Sequence, residues 1–356
     1  MGAGSLSLTR PLLRWMQADP AWAALPLRQR AWLQWQARLG SVNARLAAPP
    51  DATDAAAPSL QAPVLVLGPW RSGTTVMHEL LAAATSLTTP RTWQCMNATT
   101  FTTLPIGQRA KASAARPMDG LAVDAQSPQE DEFALLTLGV DSAYRAFWMP
   151  HRLSQLHHTL DAAHWLADDA WLAPWERFLS GVLHTAPQPR QPLLLKSPNH
   201  SFRLAAIQRR WPGTRVVWMM RDGAAVAHSN LKMWRTMFGL HGLTTPVPGA
   251  LETFVAQALR ACAQALEEAT VGTTTPVWIL VPQARLRNDA EALVRAVHAK
   301  LLLPGGLDAK ALQAAIARTH VGRDDHYAGE LPGPMLSAAR ELDDAQQRAL
   351  SRSSFG

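Results

Sequence analysis

At 356 residues, 47% hydrophobic and 17% charged, the chain has the makeup of an ordinary soluble globular protein, long enough for one large domain or two smaller ones. Two cysteines, Cys95 and Cys262, exclude a disulfide framework and suit a reducing compartment. No apolar run reaches the ~18 residues of a membrane span, and Met1-Gly-Ala-Gly-Ser-Leu lacks a leader's charged and apolar regions, so a cytoplasmic location is expected. A net charge of +7 and a pI near 10.1 admit an anionic partner, but the 34 Lys and Arg residues are scattered, which argues against a nucleic-acid reader.

In chain order, residues 11–46 show helical periodicity through Leu12, Leu13, Met16, Trp32, Leu33, Trp35 and Leu39. The Pro-, Ala- and Asp-rich stretch 47–61 reads as a linker. Together, residues 1–60 form a helical N-terminal extension. Residues 64–67 predict a buried strand, 68–75 a tight turn, and 76–84 an amphipathic helix. The stretch 88–124 is irregular. Ser127-Pro-Gln-Glu-Asp-Glu132 predicts a helix start, with a cap, a first-turn proline and acids at the positive end of the dipole. Residues 150–186 read as helical and aromatic. Further strands are predicted at 192–196, 214–220 and 277–281, with helices at 202–210, 224–234 and 289–302. Strands alternating with helices predict an α/β fold, a parallel sheet flanked by helices, with the ligand at the strands' carboxyl ends. The main domain is assigned to 61–330 and a C-terminal tail to 331–356.

The chemistry concentrates in Gly68-Pro-Trp-Arg71-Ser72-Gly73-Thr74-Thr75. A glycine turn between a buried strand and a helix start gathers backbone N–H groups around a phosphate. The spacing is that of a P-loop, yet Thr74 fills the lysine slot and the cation sits earlier, at Arg71. Ordinary NTP hydrolysis needs that lysine on the β- and γ-phosphates. Two more polar clusters end predicted strands: Lys196-Ser-Pro-Asn-His200, and Arg221-Asp222 with Ser229 one helical face further on. His151, His157, His158 and His164 lack a carboxylate triad or thiolates beside them, so no metal site is expected. Trp148, Trp165, Trp171 and Trp175 read as core, with an apolar acceptor pocket as the alternative.

This combination, spanning about residues 63–327, resembles the sulfotransferases that use 3′-phosphoadenylyl sulfate (PAPS). The likeness is to the bacterial family whose loop reads Arg-Ser-Gly-Thr-Thr where the cytosolic enzymes have Lys-Ser-Gly-Thr-Thr. The resemblance implies a P-loop-like sheet and a donor site in which Arg71, Ser72, Gly73, Thr74 and Thr75 hold the 5′-phosphosulfate. Arg221 and Ser229 would hold the 3′-phosphate, with Gly223 where many relatives have proline. Lys196 would stabilise the bridging oxygen, and His200 or a glutamate, Glu130 or Glu132, would accept the acceptor's proton. His320 to Tyr327 would close over the nucleotide. The implied partners are PAPS as co-substrate, with no metal, and a small-molecule acceptor, a hydroxyl or amine whose identity lies in the variable segments 91–125, 140–185 and 232–250. Alternatives are a P-loop kinase or other NTP-dependent transferase, and a noncatalytic nucleotide or nucleic-acid binding protein.

Overall fold

The computed structural model describes residues 8–46, 59–104, 108, 113–116, 120–270, 278–319 and 329–352. Its main elements in chain order are α1 (Arg10–Gln17), α2 (Leu27–Leu46), β1 (Val64–Leu67), α3 (Thr74–Ala84), α4 (Glu132–Leu138), α5 (Leu172–Thr185), β2 (Leu194–Lys196) and α6 (His200–Arg210). There follow β3 (Arg215–Met220), α7 (Gly223–His241), α8 (Ala250–Thr270), β4 (Trp278–Pro282), α9 (Ala290–Lys300), α10 (Ala309–Thr319) and α11 (Gly333–Arg352). The four strands form one parallel sheet in the order β2-β1-β3-β4. Register aligns Val66 with Lys196 and Leu67 with Trp218, so the polar residues that follow each strand emerge at one edge.

Both faces of the sheet are covered, which is why the strands read as continuous apolar runs. Side chains alternate between two cores at period two. Val64, Val66, Leu194, Val217, Met219, Ile279 and Val281 face α3, α9 and α10. Leu65, Leu67, Leu195, Val216, Trp218, Met220 and Leu280 face the larger core, shared by α1, α2, α5 to α8 and α11.

Two local expectations shift. The helix foreseen at Ser127 begins at Glu132. Ser127 instead turns back, its N–H and hydroxyl donating to Asp124 Oδ1 at 2.8 and 3.0 Å, a local bond that competes with helix capping. Residues 150–186 divide into a 3₁₀ helix Pro150–Leu160, a short helix Ala162–Ala167 and α5. An additional short helix, Gln283–Asn288, precedes the helix expected from residue 289, which Asp289 caps by accepting from Ala292 N–H as α9 begins. Residues 331–356 contain α11, whose Met335, Ala338, Ala339, Leu342, Ala345 and Ala349 are buried against the larger core. Most of the linker and all of 320–327 lie outside the described residues. Among the described residues no helix is long and apolar enough to cross a membrane.

Candidate active site

The loop between β1 and α3 is built on backbone conformations that few residues tolerate. Gly68 has φ +128°, and a Cβ there would lie 2.5 Å from the Met219 carbonyl oxygen, so only glycine lets β1 and β3 pass this closely. Gly73, φ +98°, caps α3, and Arg71 is held at φ +72°. A left-handed conformation in a non-glycine residue is strain that its surroundings must hold in place. They do so at both ends of Arg71: its Nε donates to Ser229 Oγ at 3.0 Å, and its carbonyl accepts from the Arg221 guanidinium at 2.8 Å. Ser72 is buried, and its hydroxyl donates within the loop, to the Pro69 carbonyl at 2.8 Å. The first turn of α3, with Thr74 and Thr75, contributes amides that no helical carbonyl can accept from.

Arg221 leaves β3 and is gripped from outside the sheet. Gln346 of α11 accepts from its N–H and donates to its carbonyl, both at 3.1 Å, and Asp343 of the same helix accepts from Gly223 N–H at 2.8 Å. Asp222 caps α7, accepting from Ala225 N–H at 2.7 Å. Arg71 therefore meets Arg221 and Ser229, some 150 positions later in sequence, in one cationic corner.

At the other side of the loop, Lys196 is 2% exposed, and its Nζ donates to Glu130 Oε1 at 2.6 Å and to Thr75 Oγ1 at 3.4 Å. Burial pulls its ammonium below the usual lysine range, with Glu130 opposing that pull. Arg116 adds a second cation on Thr75 Oγ1, at 3.2 Å. Glu130 also accepts from the Tyr144 hydroxyl at 2.8 Å, and that hydroxyl accepts from Trp70 Nε1 at 3.1 Å. A residue of the loop thus reaches the carboxylate through one tyrosine. One helical turn beyond Thr75, burial raises Glu79 to about 7 against the opposing charges of Lys196, Arg318, Arg91 and Arg116.

Residues 63–304 match the model of the sulfotransferase family. The chain belongs to that family. Over 196 residues it is 29% identical to omega-hydroxy-beta-dihydromenaquinone-9 sulfotransferase Stf3 of Mycobacterium bovis and of Mycobacterium tuberculosis. That match covers 53% of this chain and spans half the length of those relatives. Among solved structures, sulfotransferase STF9 of Mycobacterium avium superposes with a TM-score of 0.59 at 19% identity, covering 92% of this chain and 83% of that one. STF1 of Mycobacterium tuberculosis H37Rv gives 0.57 at 15% identity, covering 96% and 90%. These likenesses carry the sulfotransferase fold, with its parallel sheet between helices.

Within this sulfotransferase fold the three acids expected at one helix start part company. Only Glu130 turns to the loop. Asp131 accepts from Trp175 Nε1 at 2.7 Å and meets His200 Nε2 at 2.9 Å, with both side chains fully buried. Glu132 forms a fully buried bidentate pair with Arg203. His200, expected beside Lys196 as a candidate base, instead packs its ring 4.9 Å from Trp175 inside the core. Of the histidine series, His158 and His164 gather with Asp141 within 4.8 Å, while His157 stacks on Phe254. Arg145 pairs with Asp141 and Arg203 donates to its carbonyl, so a divalent cation there would face two guanidinium groups.

Tyr144, Trp70 and Arg116 carried no sequence signal of their own, since each acts through a partner far along the chain. Trp175, Trp165 and Trp171 are core, as their burial and mutual ring contacts show. A cavity of about 330 Å³ lined by Gln61, Pro192, Arg215 and Leu302 opens at the strands' amino ends, away from every residue of the site.

Proposed function

We propose that the chain transfers a sulfuryl group from PAPS to a hydroxyl or amine of a small acceptor and releases 3′,5′-ADP. The observation that carries this reading is the placement of Lys196 within bonding distance of both Thr75 of the loop and Glu130. A cation and a carboxylate are thereby held at the point where a phosphosulfate on the loop would meet an acceptor. The acceptor oxygen or nitrogen forms a bond to sulfur as the bond from sulfur to the phosphate oxygen breaks. The acceptor's proton passes to the Glu130 carboxylate. The charge left on the phosphate falls to Arg71, Lys196 and the loop amides.

Arg221 and Ser229, beside Arg71, suit the 3′-phosphate, because a planar guanidinium presents two parallel donors to phosphate oxygens. Three arginines and a lysine already bracket the loop, so the reading takes no metal ion. His200 and Glu132 are positioning groups in this reading, His200 because Asp131 and Trp175 hold it away from the loop. A hydroxyl acceptor, a lipid-like alcohol, is favoured over an amine by the two mycobacterial relatives, named for ω-hydroxy-β-dihydromenaquinone-9. Two buried, unpaired cysteines fit a cytoplasmic setting.

Calorimetry with 3′,5′-ADP, ATP and an oligonucleotide in parallel, each in EDTA and again with magnesium, tests the donor. Binding of 3′,5′-ADP alone is expected. Magnesium-dependent ATP binding would instead assign a kinase-like transferase, and oligonucleotide binding a nucleic-acid protein. Labelled PAPS with a panel of alcohols and amines then identifies the acceptor. Arg71→Ala is expected to abolish transfer while leaving the melting temperature within a few degrees of the parent.

A further inference from the structure

We propose that the outer face of α2 docks on an anionic lipid bilayer, holding the protein at a membrane surface. Among the described residues, most of the large exposed apolar side chains are on this one helix: Leu27, Trp32, Trp35, Leu39 and Val42. Trp32, Trp35, Leu39 and Val42 recur at steps of three, four and three residues, which aligns them along one face. The opposite face is already in use, with Leu33 and Ala37 buried in the core and Gly40 against the Leu8 carbonyl. Trp32 is 41% and Trp35 50% exposed, and their rings stack at 4.9 Å. A continuous aromatic and aliphatic stripe of this kind marks a binding surface rather than scattered surface apolarity.

Charge identifies the occupant. Arg28 and Arg38 are exposed beside the stripe, and α2 contains no Asp or Glu. Residues 1–46 hold six arginines against a single acid, Asp19, which accounts for +5 of the chain's +7. Asp19 is itself engaged by His151 and Arg152. The basic residues are scattered, but the chain's net positive charge is concentrated in the helical extension. A second copy packed on this face would set the arginines of one α2 beside those of the other. A nucleic acid would satisfy the arginines but leave Leu39 and Val42 in water. An anionic bilayer meets both demands, taking tryptophan and aliphatic side chains into the interface and arginine against its headgroups. The surface is independent of the donor chemistry, and its place would be to bring the protein to acceptors dissolved in lipid.

The test is flotation of the full chain with vesicles of phosphatidylcholine and phosphatidylglycerol at 7:3, with pure phosphatidylcholine vesicles alongside. Binding is expected to the anionic vesicles, with quenching of tryptophan fluorescence by brominated lipid and loss of binding in 0.5 M salt. Arg28→Glu with Arg38→Glu should weaken partitioning at least twentyfold, given roughly fivefold for each arginine at an anionic surface. Trp32→Ser with Trp35→Ser should abolish the quenching. Calorimetry with 3′,5′-ADP reports whether each variant retains the donor site. Lack of vesicle binding by the parent chain, or binding that the tryptophan pair leaves unchanged, overturns the proposal. A dimer dispersed by the tryptophan pair, without vesicle binding, assigns the face to a second copy. Oligonucleotide binding without vesicle binding assigns it to nucleic acid.

Discussion

Glu130 and Lys196 form a buried pair to which the proposed reaction adds a chemical role for each, and substitutions separate structure from chemistry. Glu130→Gln keeps an acceptor oxygen for Lys196 and turns its amide N–H₂ towards the Tyr144 hydroxyl, but removes the proposed base. We expect kcat to fall by about 10² to 10⁴ while 3′,5′-ADP still binds, measured by labelled transfer and calorimetry. Glu130→Ala leaves an ammonium buried without its carboxylate, which costs on the order of 3–5 kcal/mol, so this variant should lose stability as well. Equal kcat for parent and Glu130→Gln would remove Glu130 from the chemistry. His200 makes the opposite case. Its Nε2 is spent on Asp131 in the core, so His200→Gln should lower stability by about 1–3 kcal/mol and leave the pH dependence of kcat unchanged. Loss of the acidic limb of that profile would restore His200 as the base.

Among the elements, α11 does more than follow the domain: it buttresses the cationic corner at Arg221. A Cβ on Gly223 would lie 2.3 Å from the Ala339 carbonyl oxygen, a backbone atom with no side-chain freedom to yield. Gly223→Ala should therefore push α11 away from the start of α7, cost about 1–3 kcal/mol, and weaken 3′,5′-ADP binding because Gln346 loses its grip on Arg221. Gly239→Ala is the control in the same helix. Nothing lies within 4 Å of its Cβ, and it should stabilise by roughly 0.5–1 kcal/mol without touching affinity. Thermal melts with calorimetry check both. The contrast also shows what a sequence carries. The four strands and the Gly68 to Thr75 loop were legible because burial on both faces and a tight turn each impose a pattern on consecutive residues. The burial of His200 was not, since Lys196 and His200 sit on one short segment yet face the loop and the core respectively. Nor was the bond from Trp70 to Tyr144, which joins positions 74 apart.

At the scale of the whole molecule, the cost of gathering charge at the sheet edge should appear as a pH dependence of stability. Glu79 carries it: burial raises its carboxyl from the ordinary 4.5 to about 7, and four nearby cations only partly oppose the shift. A raised carboxyl pKa means that the folded chain binds a proton the unfolded chain has released between about pH 4.5 and 7. The contribution of Glu79 to stability is thus greatest below pH 4.5 and declines as pH rises through 7. Over that window the decline amounts to about 3 kcal/mol, a pKa unit being worth about 1.4. Glu79→Gln mimics the protonated form at every pH. Urea unfolding at pH 5, 6, 7 and 8 should find this variant close to the parent at pH 5 and increasingly more stable above it, with most of the difference in place by pH 8. Parallel curves for the two proteins would show that Glu79 stays ionised in the fold and that Lys196, Arg91, Arg116 and Arg318 outweigh its burial.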